Sequence, residues 1–221
     1  MKRLLEKWLQ NYLLKRYKSI VVFRDQIVFD NVRKIMQEGR LRQAYEEAYS
    51  LCMALKSVEN ILGDVAEVGT YQGGSAKLLL ETMKGKKRLY VFDTFNGLPP
   101  MSNFDTDDDL GQGYFKESVE AVKAYLSRYR KVKVYKGLFP AETGKLIRNN
   151  RFSFVHLDVD LYQGTLDSLK FFYSRINRGG MILIHDYVNI QGVKRAVNEF
   201  FESKPEIINV FCGTHCMIVK Q

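Results

Sequence analysis

The stretch Asp64-Val-Ala-Glu-Val-Gly-Thr-Tyr-Gln-Gly-Gly-Ser75 decides the fold. Its apolar-leaning first half, with the β-branched Val65 and Val68, reads as a short buried strand, and the glycines that follow let the backbone turn sharply into a helix beginning near Gly74. The spacing is Gly69-x-x-x-Gly73-Gly74, and Tyr71 stands where a dinucleotide fingerprint needs the glycine that lets backbone approach a pyrophosphate. A ligand without a pyrophosphate is therefore favoured.

Working outward, Arg88 to Phe92 reads as a second strand, and it ends at Asp93, 26 residues beyond Glu67. A carboxylate at the tip of the second strand of such a unit is placed to accept hydrogen bonds from ribose hydroxyls. S-adenosylmethionine meets both conditions, with a ribose, no phosphate, and an amino acid end that a glycine-rich turn can receive.

From Asp64 onward strand and helix alternate. The pattern predicts strands at 64–68, 88–92, 132–135, 152–157 and 180–184, with helices at 74–84, 114–129, 140–149, 164–177 and 191–203, then strands at 207–211 and 215–219. Alternation of this kind demands a mostly parallel sheet, doubly wound with helices on both faces. Only Cys212-Gly213-Thr214 separates the last two strands, too few residues for a crossover, so the final strand must run antiparallel to its predecessor. A seven-stranded α/β sheet with a reversed last strand is the layout of class I methyltransferases, Rossmann-like yet distinct from the dinucleotide-binding fold. Ahead of it, residues 4–18 carry Leu4, Leu5, Trp8, Leu9, Tyr12 and Leu13 on one helical stripe, and helices are expected at 27–40 and 43–60. The expected division is a helical extension or lid at 1–60 and a methyltransferase domain at 61–221.

The chain has 221 residues, 46% of them hydrophobic, enough for one sizeable core with an appendage. Three cysteines without metal-knuckle spacing, Cys52, Cys212 and Cys216, fit a reduced compartment better than a disulfide framework, and the expected location is the cytoplasm. No apolar run approaches the length of a membrane-spanning helix. The net charge of +9 is uneven, since residues 1–43 hold 11 Lys/Arg against 4 Asp/Glu. That basic extension could meet an anionic partner, and it motivates an RNA methyltransferase as a rival reading. Its aromatics Trp8 and Tyr12, however, sit on the apolar stripe rather than among the charges, so no specific nucleic acid is expected, and packing on its own domain or a partner subunit is favoured over a membrane surface. A second rival is a non-catalytic binding protein that keeps the fold.

Between Phe95 and Tyr114 lies a polar, glycine-rich loop, a candidate lid. Its Asp105, Asp107, Asp108 and Asp109 lack the glycine and distal glutamate spacing of a calcium loop. The chemical constellation lies further on. The fourth strand runs out through His156-Leu-Asp158-Val-Asp160-Leu-Tyr162, and the fifth through His185-Asp186-Tyr187. Strand carboxyl ends line the ligand crevice of an open parallel sheet, so these polar groups converge beside the glycine turn. Asp158 and Asp160 share one side by the period of extended chain, and oxygen-rich groups of this sort suit a hard cation such as Mg²⁺ or Mn²⁺.

Taken together, Glu67-Val-Gly-Thr-Tyr-Gln-Gly-Gly-Ser75, Phe92-Asp93-Thr-Phe-Asn-Gly-Leu-Pro99, Leu157-Asp158-Val-Asp160-Leu-Tyr162 and His185-Asp186-Tyr187 resemble the macrocin O-methyltransferase family of sugar O-methyltransferases. The resemblance spans about residues 63–190 and implies S-adenosylmethionine as methyl donor, a bound Mg²⁺, and a sugar-type hydroxyl as acceptor. It also implies that Glu67, Gly69, Ser75 and Asp93 hold the donor, with Thr70, Tyr71, Gly73, Thr94 and Asp158 beside them. Asp158 and Asp186 would bind metal, and Asp160 would be the general base. One departure stands out: the family has two adjacent acids at the fifth strand tip, and here the first is His185. A nitrogen ligand is softer, which makes Mn²⁺ or Fe²⁺ thinkable with Asp158, His185 and Asp186 as the metal set. His156 competes with Asp160 as base, and its place inside a strand favours a packed structural role. His215 reads as structural, while Tyr162 and Tyr187 flank the constellation.

Overall fold

Strands that lie in the middle of a parallel sheet must be apolar on both faces, and the order of burial along this chain sets its layers. The structure, a computed structural model, describes residues 25–106 and 111–221. Helices α1 (Gln26–Gln37) and α2 (Tyr45–Ser57) lead into β1 (Asp64–Val68), α3 (Gly74–Met83), β2 (Leu89–Asp93), α4 (Val119–Tyr125) and β3 (Val132–Lys136). The chain continues through β4 (Phe152–Leu157), α5 (Tyr162–Tyr173), β5 (Ile176–Ile184), α6 (Gln191–Phe201), β6 (Asn209–Val210) and β7 (Cys216–Val219). The strands form one sheet in the order β3-β2-β1-β4-β5-β7-β6. β7 runs antiparallel to both of its neighbours, as the three-residue turn demands, and the other pairings are parallel.

β4 is buried along its whole length and its side chains feed both layers. Val155 and Leu157 pack with Leu169 and Phe172 of α5 and Val193 and Val197 of α6, while Phe154 packs with Leu51 and Leu55 of α2 and Leu79 of α3. The early helices are therefore part of one face of the sheet. Asp25 caps α1 by accepting the Val28 N–H at 3.0 Å, and Val28, Val32 and Ile35 bury against Tyr45, Ala48, Cys52 and Leu78. Lys77, buried at the start of α3, donates to both carboxylate oxygens of Glu38 at 2.6 Å. This pins the connector between α1 and α2 over the carboxyl ends of the strands.

The helix expected at 164–177 ends at Tyr173 and β5 already begins at Ile176, while three further elements differ more. The helix at 140–149 is a single 3₁₀ turn, Gly144–Ile147. There the Glu142 carboxylate takes the Leu138 N–H at 2.9 Å, a local bond that competes with helix, and Gly144 lies so close to Pro140 and the Phe171 ring that the chain is moulded to α5. The helix at 114–129 starts only at Val119, where Ser118 caps it by accepting the Ala121 N–H at 3.2 Å, and Phe115 upstream has φ +62°. The strand at 207–211 contracts to Asn209–Val210 at the sheet edge. The stripe at 4–18 and Asp107, Asp108 and Asp109 lie outside the described residues.

The deciding turn is held by a close approach of backbone to backbone. At Gly69, φ is +82° and a Cβ would stand 1.7 Å from the Asp158 carbonyl oxygen. The Asp158 N–H in turn donates to the Val68 carbonyl at 2.8 Å, so the tips of β1 and β4 touch with no room for a side chain. Gly69→Ala is expected to cost about 3 kcal/mol or more of unfolding free energy, because strain at positive φ adds to a clash with main chain. Gly85→Ala, at φ +71° with open space around it, should cost only about 1–2 kcal/mol. Denaturant unfolding of the two variants checks the contrast, and equal losses would show that the close approach does not matter.

Candidate active site

The carboxyl ends of β1, β2, β4 and β5 open into a cleft of about 310 Å³. The turn after β1 contributes Gly69, Thr70, Tyr71 and Ser75, and β2 contributes Asp93 and Thr94. Asp158 and Asp160 follow β4, His185 and Asp186 follow β5, and all four reach the same cleft. Asp160 and Asp186 adopt φ +59° and +58°, a left-handed conformation that costs a side-chain-bearing residue and clusters at functional sites.

Asp93 organises the turn. Its Oδ2 accepts the N–H groups of Thr70 and Tyr71 at 2.9 and 2.8 Å, and its Oδ1 accepts the Phe95 N–H at 2.7 Å. Burial raises the carboxyl above its usual range against the opposing pull of these three donors. A carboxylate offers about four lone-pair sites, so roughly one acceptor position is left for a ligand hydroxyl. Thr94 turns its hydroxyl back onto the Gly97 carbonyl at 2.7 Å and shapes the rim. Tyr71, at φ +48°, stands edge-on to Phe115.

Two residues expected at the donor or the acceptor lie behind the cleft wall. Glu67 and His156 are neighbours in the β1–β4 register, both fully buried, with Glu67 Oε1 3.0 Å from His156 Nδ1. Strand alternation turns both toward the α2 side of the sheet, so neither is part of the cleft lining. His156 thus takes the packed place that its position inside a strand favours, one layer behind Gln43, with Glu67 as its partner. Gly73 is likewise outside the lining, where it takes φ +82° as the residue capping α3.

The connector and α2 supply what the motifs did not announce. Gln43, 6% exposed, donates from Nε2 to Asp158 Oδ2 at 3.2 Å and stands 3.4 Å from His156 Nε2. Its Oε1, like Thr70 Oγ1 on the same cleft, is buried without a protein partner. Arg40 and Arg42 also line the cleft, Arg42 with its guanidinium over the Tyr71 ring. Glu47 is buried within α2, where its Oε1 accepts the Thr214 N–H and hydroxyl at 3.0 and 2.9 Å. Its Oε2 accepts the Ala44 N–H at 2.9 Å and faces His185 Nε2 at 3.4 Å. The available signal was a Gln just ahead of α2 and a Glu in its first turn, beside a helix otherwise rich in core residues, since buried polar side chains need partners.

His185 sits at the centre of the charges. Its Nδ1 lies 2.6 Å from Asp186 Oδ2 and 3.1 Å from Asp158 Oδ1. Burial works to lower the His185 pKa, and the carboxylates around it overcome that and hold it far above the usual range. Burial works to raise Asp158, and the His185 charge overrides it, leaving the carboxyl well below its ordinary value. The hydrogen bond from His185 is the largest influence holding Glu47 at about 2. Burial, together with the charges of Asp158 and Asp186, pushes Asp160 well up. His215 completes the group with its ring 4.8 Å from that of His185 and 6.2 Å from that of His156; burial and the neighbouring His185 charge lower it to about 4.

Among the described residues no helix is long and apolar enough to cross a membrane. The 8-demethyl-8-(2,3-dimethoxy-alpha-L-rhamnosyl)-tetracenomycin-C 4'-O-methyltransferase of Streptomyces olivaceus is 26% identical over 67% of this chain, which spans only 62% of that relative's length. Among solved structures, the O-methyltransferase NovP matches 82% of this chain and 82% of its own at TM-score 0.69 and 19% identity. An O-methyltransferase from Bacillus cereus, solved in complex with SAH, matches 95% of this chain and 97% of its own at TM-score 0.59 and 14% identity. The class I methyltransferase architecture is thereby shared. The macrocin-O-methyltransferase (TylF) family model matches residues 30–209, and the chain belongs to that family.

Proposed function

We propose that this protein transfers a methyl group from S-adenosylmethionine to a hydroxyl of a sugar-type acceptor. The observation that carries the reading is the convergence, in one cleft, of the glycine turn, the Asp93 carboxylate and the paired tips Asp158 and Asp160. Two buried acceptor atoms on its wall without protein partners, Gln43 Oε1 and Thr70 Oγ1, fit a ligand rich in N–H and O–H donors. Family membership supports the reaction class, and the Streptomyces relative's rhamnosyl-bearing substrate supports a sugar acceptor.

When bound, the donor supplies a methyl already activated on a sulfonium, so the chain's tasks are to align an acceptor oxygen and take its proton. Gly69, Thr70 and Ser75 receive the amino acid end, and Asp93 holds the turn while offering its last acceptor position to a ribose hydroxyl. Gln43 ties Asp158 to the roof and fixes its direction. Asp160 takes the hydroxyl proton. Its raised pKa makes it a stronger base than an ordinary carboxylate, and the positive charge of the donor favours its ionised form.

The implied Mg²⁺ does not fit this donor set. Asp158, His185 and Asp186 bring ligand-type atoms within 4.8 Å of one another. Magnesium, however, takes oxygen ligands, and the nitrogen here faces carboxylates rather than open space. No step is assigned to a metal.

The test is methyl transfer by the purified full chain from labelled donor to a panel of nucleotide sugars and glycosides, alongside calorimetry with S-adenosylhomocysteine. Absence of S-adenosylhomocysteine binding would sink the reading. Asp160→Asn is expected to lower turnover by about 10²–10⁴-fold with unchanged S-adenosylhomocysteine affinity, since proton removal and not donor binding is lost. Near-parental turnover in that variant would place the base elsewhere. Asp93→Ala removes three charge-assisted bonds from the turn and should weaken S-adenosylhomocysteine binding by about 1.5–3 kcal/mol, read in the same titration.

A further inference from the structure

Four carboxylates, Glu47, Asp158, Asp160 and Asp186, gather around the tips of β4 and β5, and so much like charge needs a cation among it. His185 stands in the middle. On one side of the ring, Nδ1 lies 2.6 Å from Asp186 Oδ2 and 3.1 Å from Asp158 Oδ1; on the other, Nε2 lies 3.4 Å from Glu47 Oε2. Carboxylate oxygens accept and do not donate, so the geometry gives a proton to each ring nitrogen and leaves neither lone pair for a metal. Glu47 cannot turn away, because the Thr214 N–H and hydroxyl hold its Oε1 and the Ala44 N–H holds its Oε2. His185 is 12% exposed at the side chain and Glu47 8%, so this contact is shielded from water.

Resting on the transfer reading above, we infer that His185 takes the place of the divalent cation: its ring bridges Asp158 and Asp186, Glu47 locks it from α2, and the site works without a metal. The bridge does the two local jobs a cation would do, neutralising the acid pair and fixing the orientation of Asp158 toward the cleft. What it does not do is acidify the acceptor hydroxyl by ligation, so proton removal rests on Asp160 alone.

The test titrates chelator-treated, desalted full-length protein with MgCl₂ and MnCl₂ by calorimetry, and follows free Mn²⁺ by electron paramagnetic resonance. The parent should show no saturable binding of either ion into the millimolar range, and its S-adenosylhomocysteine affinity should agree within about twofold in chelator and in Mg²⁺. His185→Asp, which restores a third carboxylate to the set, should gain saturable Mn²⁺ binding at least about tenfold tighter than the parent. Micromolar Mg²⁺ or Mn²⁺ binding by the parent overturns the inference. So does a folded His185→Asp protein that still binds no Mn²⁺, since the spot would then not be the cation's place. Should that variant fail to fold, the parent titration decides by itself. Failure of the transfer reading appears separately, as absent S-adenosylhomocysteine binding whatever the metal result.

Discussion

The contact on which the rest depends is the one between the backbone of Gly69 and the carbonyl of Asp158. It forces the strand that carries the glycine turn and the strand that carries the acids to end at the same height. The Gly69 N–H reaching the Phe92 carbonyl at 2.8 Å brings the tip of β2 to that height as well. Three strand ends thus deliver main-chain donors, the Asp93 carboxylate and an acid pair to one cleft without any long side chain having to reach. Positioning by strand register is stiffer than positioning by rotamer, and the methyl transfer proposed above, which aligns two reactants closely, benefits from that stiffness.

Around that contact the chain buries two pairs of polar side chains. Glu67 with His156 fills the α2 side of the sheet beneath the turn, and Glu47 with His185 fills the same side one strand further on. Each pair joins elements far apart in sequence, β1 to β4 and α2 to β5. Such pairs are weak evidence for stability, because desolvation offsets the attraction, but they specify which elements may neighbour one another. In this protein the Glu47–His185 pair seats α2 over the acid cluster.

Much of this was legible in the residues. Alternating apolar runs gave the layers, the three-residue gap Cys212–Thr214 gave the reversed last strand, and Asp93 and Asp158 could be placed at strand tips by spacing alone. What was not legible has physical causes. The direction of a strand side chain depends on where the strand starts, so the motif alone does not say that the pleat turns Glu67 away from the cleft lining and toward His156. The segment 140–149 has helical composition, yet its fate is set by contacts of Gly144 with Pro140 and Phe171. Gln43 and Glu47 acquire meaning only once α2 is seated on the sheet, a tertiary fact that local pattern does not carry.

The gathering of imidazoles has a spectroscopic consequence. The sequence has three histidines, and His156, His185 and His215 stand in a single chain of ring contacts beneath and beside the cleft. No imidazole lies elsewhere to clutter the signal. The histidine region of a nuclear magnetic resonance spectrum of this protein therefore reports on the candidate site and the layer directly behind it, where tautomers and ligand arrival can be followed on three imidazoles in mutual contact.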